Sequence, residues 1–467
     1  MTKKQLAYLI PVLAGLVFCF YYVRTACLDV AYTDYVRLVL SYLPDVMNPD
    51  KFLVPDILTR VPVTYLARIV NVKFFGYSTL FDISLGVLSL GLGGFAMARY
   101  MQRQGGFAMW ILWVFLSVLY FGLNQWEMIT NGTGWVCFLS ISGFIGHFVL
   151  IDRIAASRGE VSGKDVFLLC LIPLVLDTLV AGPYCGGYSV ILVLTYLGLM
   201  FREIRKKTYA RETGHTRRNR FFAWFLSSAA AVGSLALYLW SNHFAVYEHR
   251  GATDRALLDV AKETPSFFVQ FLLKAFASDV IGLNQVTGFM NRSENHMRMV
   301  YALGGLVILA YLAAVWLNWK MKITADTIFP LIMVLSGGLN HLLILVSRWI
   351  FMNPDYGMSS RYALQYKMGV IGIVLTFAMA ARIRRSGVHA FLLTMAILVF
   401  GAGSLWTTYK ELETAPYRKA YLERARKVGL NYRNEPDEVL AAQFQHSGAK
   451  VREALRILEA NRLNIFR

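Results

Sequence analysis

Long apolar runs alternate along this chain with short polar segments. About 20 apolar residues cross a bilayer as a helix, and about 17 suffice. That rule predicts spans near 6–23, 78–98, 107–123, 135–151, 166–181, 188–201, 221–241, 298–317, 325–347, 366–381 and 388–405. The fifth and sixth runs are short and flank Ala181-Gly-Pro-Tyr-Cys-Gly-Gly-Tyr188, a helix-breaking turn. They read as a hairpin of two short helices, with a single broken helix lining a cavity as the alternative. Pro265 to Ile281 is apolar but carries Lys274 and Asp279, which predicts a helix in the membrane interface. Were that segment to span, the C-terminal tail would change sides.

The segments between the spans keep a helical rhythm. Tyr35, Leu38, Val39, Tyr42 and Leu43 recur at helical spacing, as do Ile57, Val61, Leu66, Ile69 and Val70. Both predict surface helices within a first loop at 24–77. A second long loop covers 242–297. In the tail, Tyr417 to Val428 and Val451 to Leu458 read as amphipathic helices joined by a polar stretch with Pro436. The expected organisation is a membrane domain over 1–405 and a helical tail over 406–467 that packs on the bundle. The fold class is all-α: a polytopic helical bundle of about 11 spans.

Composition agrees. The 467 residues are 56% hydrophobic and 16% charged, which excludes an ordinary soluble enzyme. The net charge of +18 would suggest nucleic acid in a soluble chain, but here the cations cluster in short loops. Arg99 and Arg103, Arg153 to Lys164, Arg202 to Arg220, Lys320 and Lys322, and Arg382 to Arg385 all fall on the side of Lys3 and Lys4. The positive-inside rule makes that side cytoplasmic and puts the C-terminus outside. The expected location is therefore a bacterial plasma membrane, with the lipid bilayer as partner and no nucleic acid. The five cysteines show no metal or disulfide spacing.

The candidate chemistry lies in the outer segments. Asp29 and Asp34 follow the first span, where a carboxylate is costly without a role. Asp34 reads either as a helix N-cap or as a general base acting on an acceptor hydroxyl. Gln125-Trp-Glu127 sits at an outer interface, able to hold a sugar hydroxyl or to partner an arginine. Arg37, Arg60, Arg292, His296, Arg298, Arg348 and Arg361, with Tyr362 beside the last, offer cations on the same side. They read as phosphate ligands or as side chains snorkelling to lipid headgroups. Asn340 and His341 are polar within a span. There is no nucleotide-binding loop, zinc-protease motif or nucleophile elbow.

These features resemble GT-C-type membrane glycosyltransferases, which carry an acidic residue in the first outer loop, matched by position in Asp34 with Asp29. A narrower similarity is to bacterial polytopic proteins of glucosyltransferase type. Gln125-Trp-Glu127, Ser360-Arg-Tyr362 and the ending Leu458 to Phe466 match motifs of that group. The first-loop acids of the family are often paired, whereas here Asp29 lies five residues before Asp34. The resemblance implies inverting transfer of a sugar from a polyprenyl-phosphate donor to a cell-envelope glycan, lipid or protein. It implies Asp34 or Asp29 as base, and Arg37, Arg60, Gln125, Glu127, His296, Arg298, Arg361 and Tyr362 around the substrates. Glu127 would position the acceptor or tie Arg60 in place. The resemblance allows a divalent metal, for which no ligand spacing argues. The rivals are a transporter or flippase of lipid-linked sugars and an O-antigen ligase or polymerase. The absence of an internal repeat weakens the transporter reading.

Overall fold

The computed structural model describes residues 3–48, 61–157, 159–205, 214–243 and 252–467. Among these, every regular element is helical. The elements up to the fourth span are α1 (Lys3–Ala26), α2 (Asp34–Tyr42), α3 (Pro62–Phe75), α4 (Thr79–Gln104), α5 (Phe107–Phe121), α6 (Trp126–Thr130) and α7 (Trp135–Ala156). The middle holds α8 (Gly163–Val175), α9 (Cys185–Arg205), α10 (Gly214–Ser241), α11 (Leu257–Glu263), α12 (Pro265–Ala277) and α13 (Leu283–Met290). The last third holds α14 (Glu294–Lys320), α15 (Phe329–Arg348), α16 (Ala363–Ile383), α17 (Gly387–Leu430), α18 (Asp437–Phe444) and α19 (Gly448–Ala460).

Ten helical segments are long and apolar enough to cross a membrane, which makes this a multi-pass membrane protein. In hydrocarbon each backbone N–H and C=O must find its partner inside the chain, and a helix provides that locally. The remaining expected span, 166–181, is not among these ten; it holds Asp177, and Lys164 and Asp165 stand just before it. Its helix α8 nevertheless continues through a π-turn at Leu176–Val180. At that end it touches α3 of the first loop. Its start is tied to the opposite end of the bundle, where Val161 N donates to Asn219 Oδ1 at 2.8 Å. α8 therefore runs from one face to the other. The turn Gly182–Tyr184 then leads into α9, and the two-helix hairpin is the arrangement found.

The distal face is the end at which α1 finishes; the proximal face is the end at which it starts. α17 comes out on the distal face, beside the first loop. The chain contacts show this directly, because α19 packs on α2. α12, with 13 residues, is too short to add a crossing. It packs against α14, α15 and the turn Pro354–Met358, on the distal side. The central helix is α16, buried almost end to end. Its approach to α15 is close enough that a Cβ on Gly337 would meet the Cα of Gly369 at 2.4 Å. Small residues make such backbone contact feasible.

The chain is helical across the expected division at 405/406. α17 is one helix of 44 residues that runs on through Pro416. The whole helix is about 66 Å long at about 1.5 Å per residue, and the predicted tail helix at Tyr417 to Val428 is its distal end. The rest of the tail shares a second core with the first loop, built on Tyr35, Val39 and Tyr42 against Phe444, Val451 and Leu455. Asn464 fastens this core. Its Oδ1 accepts Ala31 N at 2.8 Å, and its Nδ2 donates to Asp29 Oδ1 and Tyr77 O, each at 3.0 Å.

The proximal face is held by charge. Asp152 is 1% exposed and pairs with Arg103. Its Oδ1 also accepts Thr327 Oγ1 and Ile328 N at 2.7 Å and Phe329 N at 3.1 Å. A carboxylate at the start of α15 thereby satisfies N–H groups that have no helical partner.

Candidate functional site

The site grows from two short segments that meet on the distal face. The first follows α5. Gly122 ends that helix, and a 3-10 turn at Leu123–Gln125 leads into α6. Polar groups bolt this turn in place from three helices. Gln125 Nε2 donates to Tyr120 O at 2.8 Å, and Lys367 Nζ of α16 donates to Gly122 O at 3.0 Å. From α17, Thr408 Oγ1 accepts Leu123 N at 3.1 Å, and Ser404 Oγ donates to Asn124 Oδ1 at 3.0 Å. Glu127 is thereby held on a rigid step at the bundle's end.

The second segment precedes α16. A 3-10 turn at Ser360–Tyr362 is capped by Ser359, whose hydroxyl accepts Arg361 N. It brings two donors to Glu127. Arg361 Nε donates to Oε1 at 2.5 Å, and Ser360 Oγ donates to Oε2 at 2.9 Å. A charged guanidinium on a carboxylate is among the stronger hydrogen bonds a protein makes.

Above this pair lies a cavity of about 440 Å³. Tyr32 and Thr33 of the first loop form one wall, and Tyr417, Arg418 and Tyr421 of α17 form the other. The guanidinium of Arg418 lies 3.4 Å from the Trp126 ring centre. It also pairs with Glu411, a buried carboxylate that accepts Asn284 Nδ2 at 3.2 Å and Gln285 Nε2 at 3.1 Å. Burial pushes the Tyr32 phenol up to about 12. At neutral pH it is therefore an intact hydroxyl, able to donate or accept.

Asp34 does not line the cavity but directly follows Thr33, which does. It is the first residue of α2, not its N-cap, which is Thr33 with a positive φ of 51° and no side-chain cap bond. Thr33 is fixed from the tail, since its N–H donates to Phe444 O at 3.0 Å. Asp34 is half-buried and close enough for its charge to act on Arg361. The first-loop acid, Glu127 and Arg361 are thus neighbours in the fold.

Other candidates lie elsewhere. Asp29 is a fastener: its Oδ1 accepts Thr79 N at 2.7 Å, Thr79 Oγ1 at 2.9 Å and the Asn464 amide. Gln125 is fully buried beneath the cavity. Tyr362 accepts Arg348 Nε at 2.7 Å. Arg37 is half-buried on α2 and does not line the cavity. His296 and Arg298 sit at the start of α14, bonded to Ser293 and Glu294 of the same turn. Arg60 lies outside the described residues. The expected tie of Glu127 to Arg60 lies outside them as well; among the described residues Glu127 pairs with Arg361. His341 is buried in a different setting, stacked between Phe276 and Tyr366 and 3.5 Å from Asp279.

Sequence reasoning missed Arg418 and Glu411. With the last span ended at 405, both fell in a separate tail. Their spacing of seven on one helix face is the signal that a continuous helix would have given. Among the described residues no three His, Cys, Asp or Glu side chains gather as a metal site. The cavity instead offers three guanidinium groups, from Arg361, Arg418 and Arg424, one carboxylate, Glu127, and several hydroxyls. That set suits a ligand bearing both an anion and a polyol. No protein-family model, curated protein or solved structure matches this chain.

Proposed function

We propose that the protein is an inverting glycosyltransferase working on the extracytoplasmic face, with a polyprenyl-phosphate-linked sugar as donor. The observation that carries this reading is the pairing of Glu127 and Arg361 in the wall of the cavity, with Asp34 near enough for its charge to act on Arg361. Carboxylates and cations there match the two demands of the reaction. The proximal loops hold the excess of Lys and Arg, which supports a cytoplasmic proximal face and an outer cavity.

In this mechanism Asp34 takes the proton of an acceptor hydroxyl. The hydroxyl oxygen attacks C1 of the sugar from the side opposite the phosphate. The new O–C1 bond forms as the bond from C1 to the phosphate oxygen breaks, and the phosphate leaves with the electron pair. Arg361 lies where it can stabilise that developing charge. Glu127 keeps the Arg361 fork aimed at the cavity. One base and one stabilised leaving group suffice, with no covalent intermediate.

The test uses purified full-length protein in lipid nanodiscs with radiolabelled polyprenyl-phosphate hexoses and cell-envelope extract. Transfer of label to acceptor supports the reading. Movement of the labelled lipid between leaflets without any transfer overturns it in favour of a flippase.

A further inference from the structure

A groove of about 860 Å³ opens between α13, α14 and α17. Its wall is apolar, with Ile281, Val286, Phe289 and Leu303 inside. Met299, Leu306 and Trp406 line it and are more than half exposed, on helices that cross the membrane. The groove therefore opens sideways toward lipid. Its polar residues are few: Asn284, Gln285, Arg292, Lys410 and Thr414.

The groove and the site cavity share Thr414. On α17 the groove takes 406, 410 and 414, and the cavity takes 414, 417, 418 and 421. Steps of three and four put all of these on one helix face. The two spaces follow one another along this face of α17, the first mostly apolar and the second more polar. At their junction stands Glu411, which receives Asn284 and Gln285 from the groove and Arg418 from the cavity. Two polar atoms beside it, Arg418 Nε and Gln285 Oε1, are buried without a hydrogen-bond partner among the described residues. Leaving the Arg418 Nε–H unpaired is costly, and a ligand oxygen that accepts from it recovers that cost.

We infer that a polyprenyl phosphate binds along this face of α17, its chain in the groove and its phosphate between Arg418 and Arg361, which both line the cavity. The assignment rests on the proposed sugar-transfer reading, since it identifies how the donor of that reaction sits. Charge selects the occupant. Lys410 and Arg292 draw an anionic head to the rim, while a guanidinium presents the fork that a phosphate needs. Thr414 is the narrow point between tail and head.

The experiment uses full-length protein in phosphatidylcholine vesicles and a diazirine-bearing polyprenyl phosphate. Crosslinks are expected on α14 between Met299 and Leu306 and on α17 between Trp406 and Thr414. Thr414→Trp should cut their yield at least about tenfold. Leu306→Trp, which fills the groove from a lipid-exposed position and spares the fold, should do the same. Arg418→Gln should weaken binding of the phosphate probe by about tenfold and leave binding of the uncharged polyprenol unchanged. Equal crosslinking by a phosphatidylglycerol probe, or full yield in both Trp variants, would overturn the assignment. Groove binding without sugar transfer would sink the transferase reading and leave the lipid site standing. Wild-type transfer in Thr414→Trp and Leu306→Trp would do the reverse.

Discussion

Arg361 and Glu127, separated by 234 positions, are joined by a 2.5 Å hydrogen bond at the mouth of the distal cavity. The pair links the step after α5 to the turn before α16. It is solvent-accessible, at 52% exposure for the Arg361 side chain and 25% for Glu127. Its value to stability is therefore small, while its value to the orientation of Arg361 is large.

Glu127→Gln separates those two contributions. An exposed pair contributes about 1 kcal/mol or less to folding. The melting temperature in detergent should hardly move, whereas sugar transfer should fall by about tenfold or more because Arg361 loses its fixed aim. A large loss of thermal stability with transfer retained would show the pair to be structural.

Asp34→Asn should abolish transfer with the protein folded and inserted. The substitution keeps size and hydrogen bonding but removes the base. Asp29→Asn provides the contrast. Its Oδ1 serves Thr79 and Asn464, so its loss should weaken tail docking and leave residual transfer. Full activity in Asp34→Asn would remove that residue from the mechanism.

Asn464→Ala tests the clasp. Three side-chain hydrogen bonds join Asn464 to Ala31, Asp29 and Tyr77. At about 1 kcal/mol each, with Asp29 left short of a donor, the expected cost is about 1–3 kcal/mol. Limited proteolysis should then cut between α17 and α19 faster than in the parent protein. An unchanged digestion pattern would count against the clasp.

Counting α8 as a crossing beside the ten long apolar helices makes a topological prediction. Asp45→Cys and Arg426→Cys should react with an impermeant maleimide from the same side of sealed vesicles, and Arg385→Cys only from the other. The native cysteines are buried or half-buried, so background labelling should be low. Labelling of Asp45→Cys and Arg426→Cys from opposite sides would mean that α8 does not cross.

Much of the membrane architecture could be read along the chain, since span length and helix formation in hydrocarbon depend on local composition. The surface helices α2 and α3 were legible for the same reason, through the spacing of Tyr35, Val39 and Tyr42 and of Leu66, Ile69 and Val70. The polar motifs Gln125-Trp-Glu127 and Ser360-Arg-Tyr362 each stood out alone. Their meeting did not, because a carboxylate's partner is set by distance in the fold and not by spacing in the chain.

By itself, then, the sequence determined an all-helical protein that crosses the membrane many times and gathers acids and cations at the ends of its spans. Tertiary structure alone decided how those groups are shared out. It committed Asp29 to Asn464 and Thr79, gave Glu127 to Arg361, and extended α17 through Pro416 so that Arg418 reached Trp126. The physical reason is one of range. Burial of apolar runs is decided within about 20 residues, whereas hydrogen bonds and ion pairs need contact within a few ångströms between segments that only packing brings together.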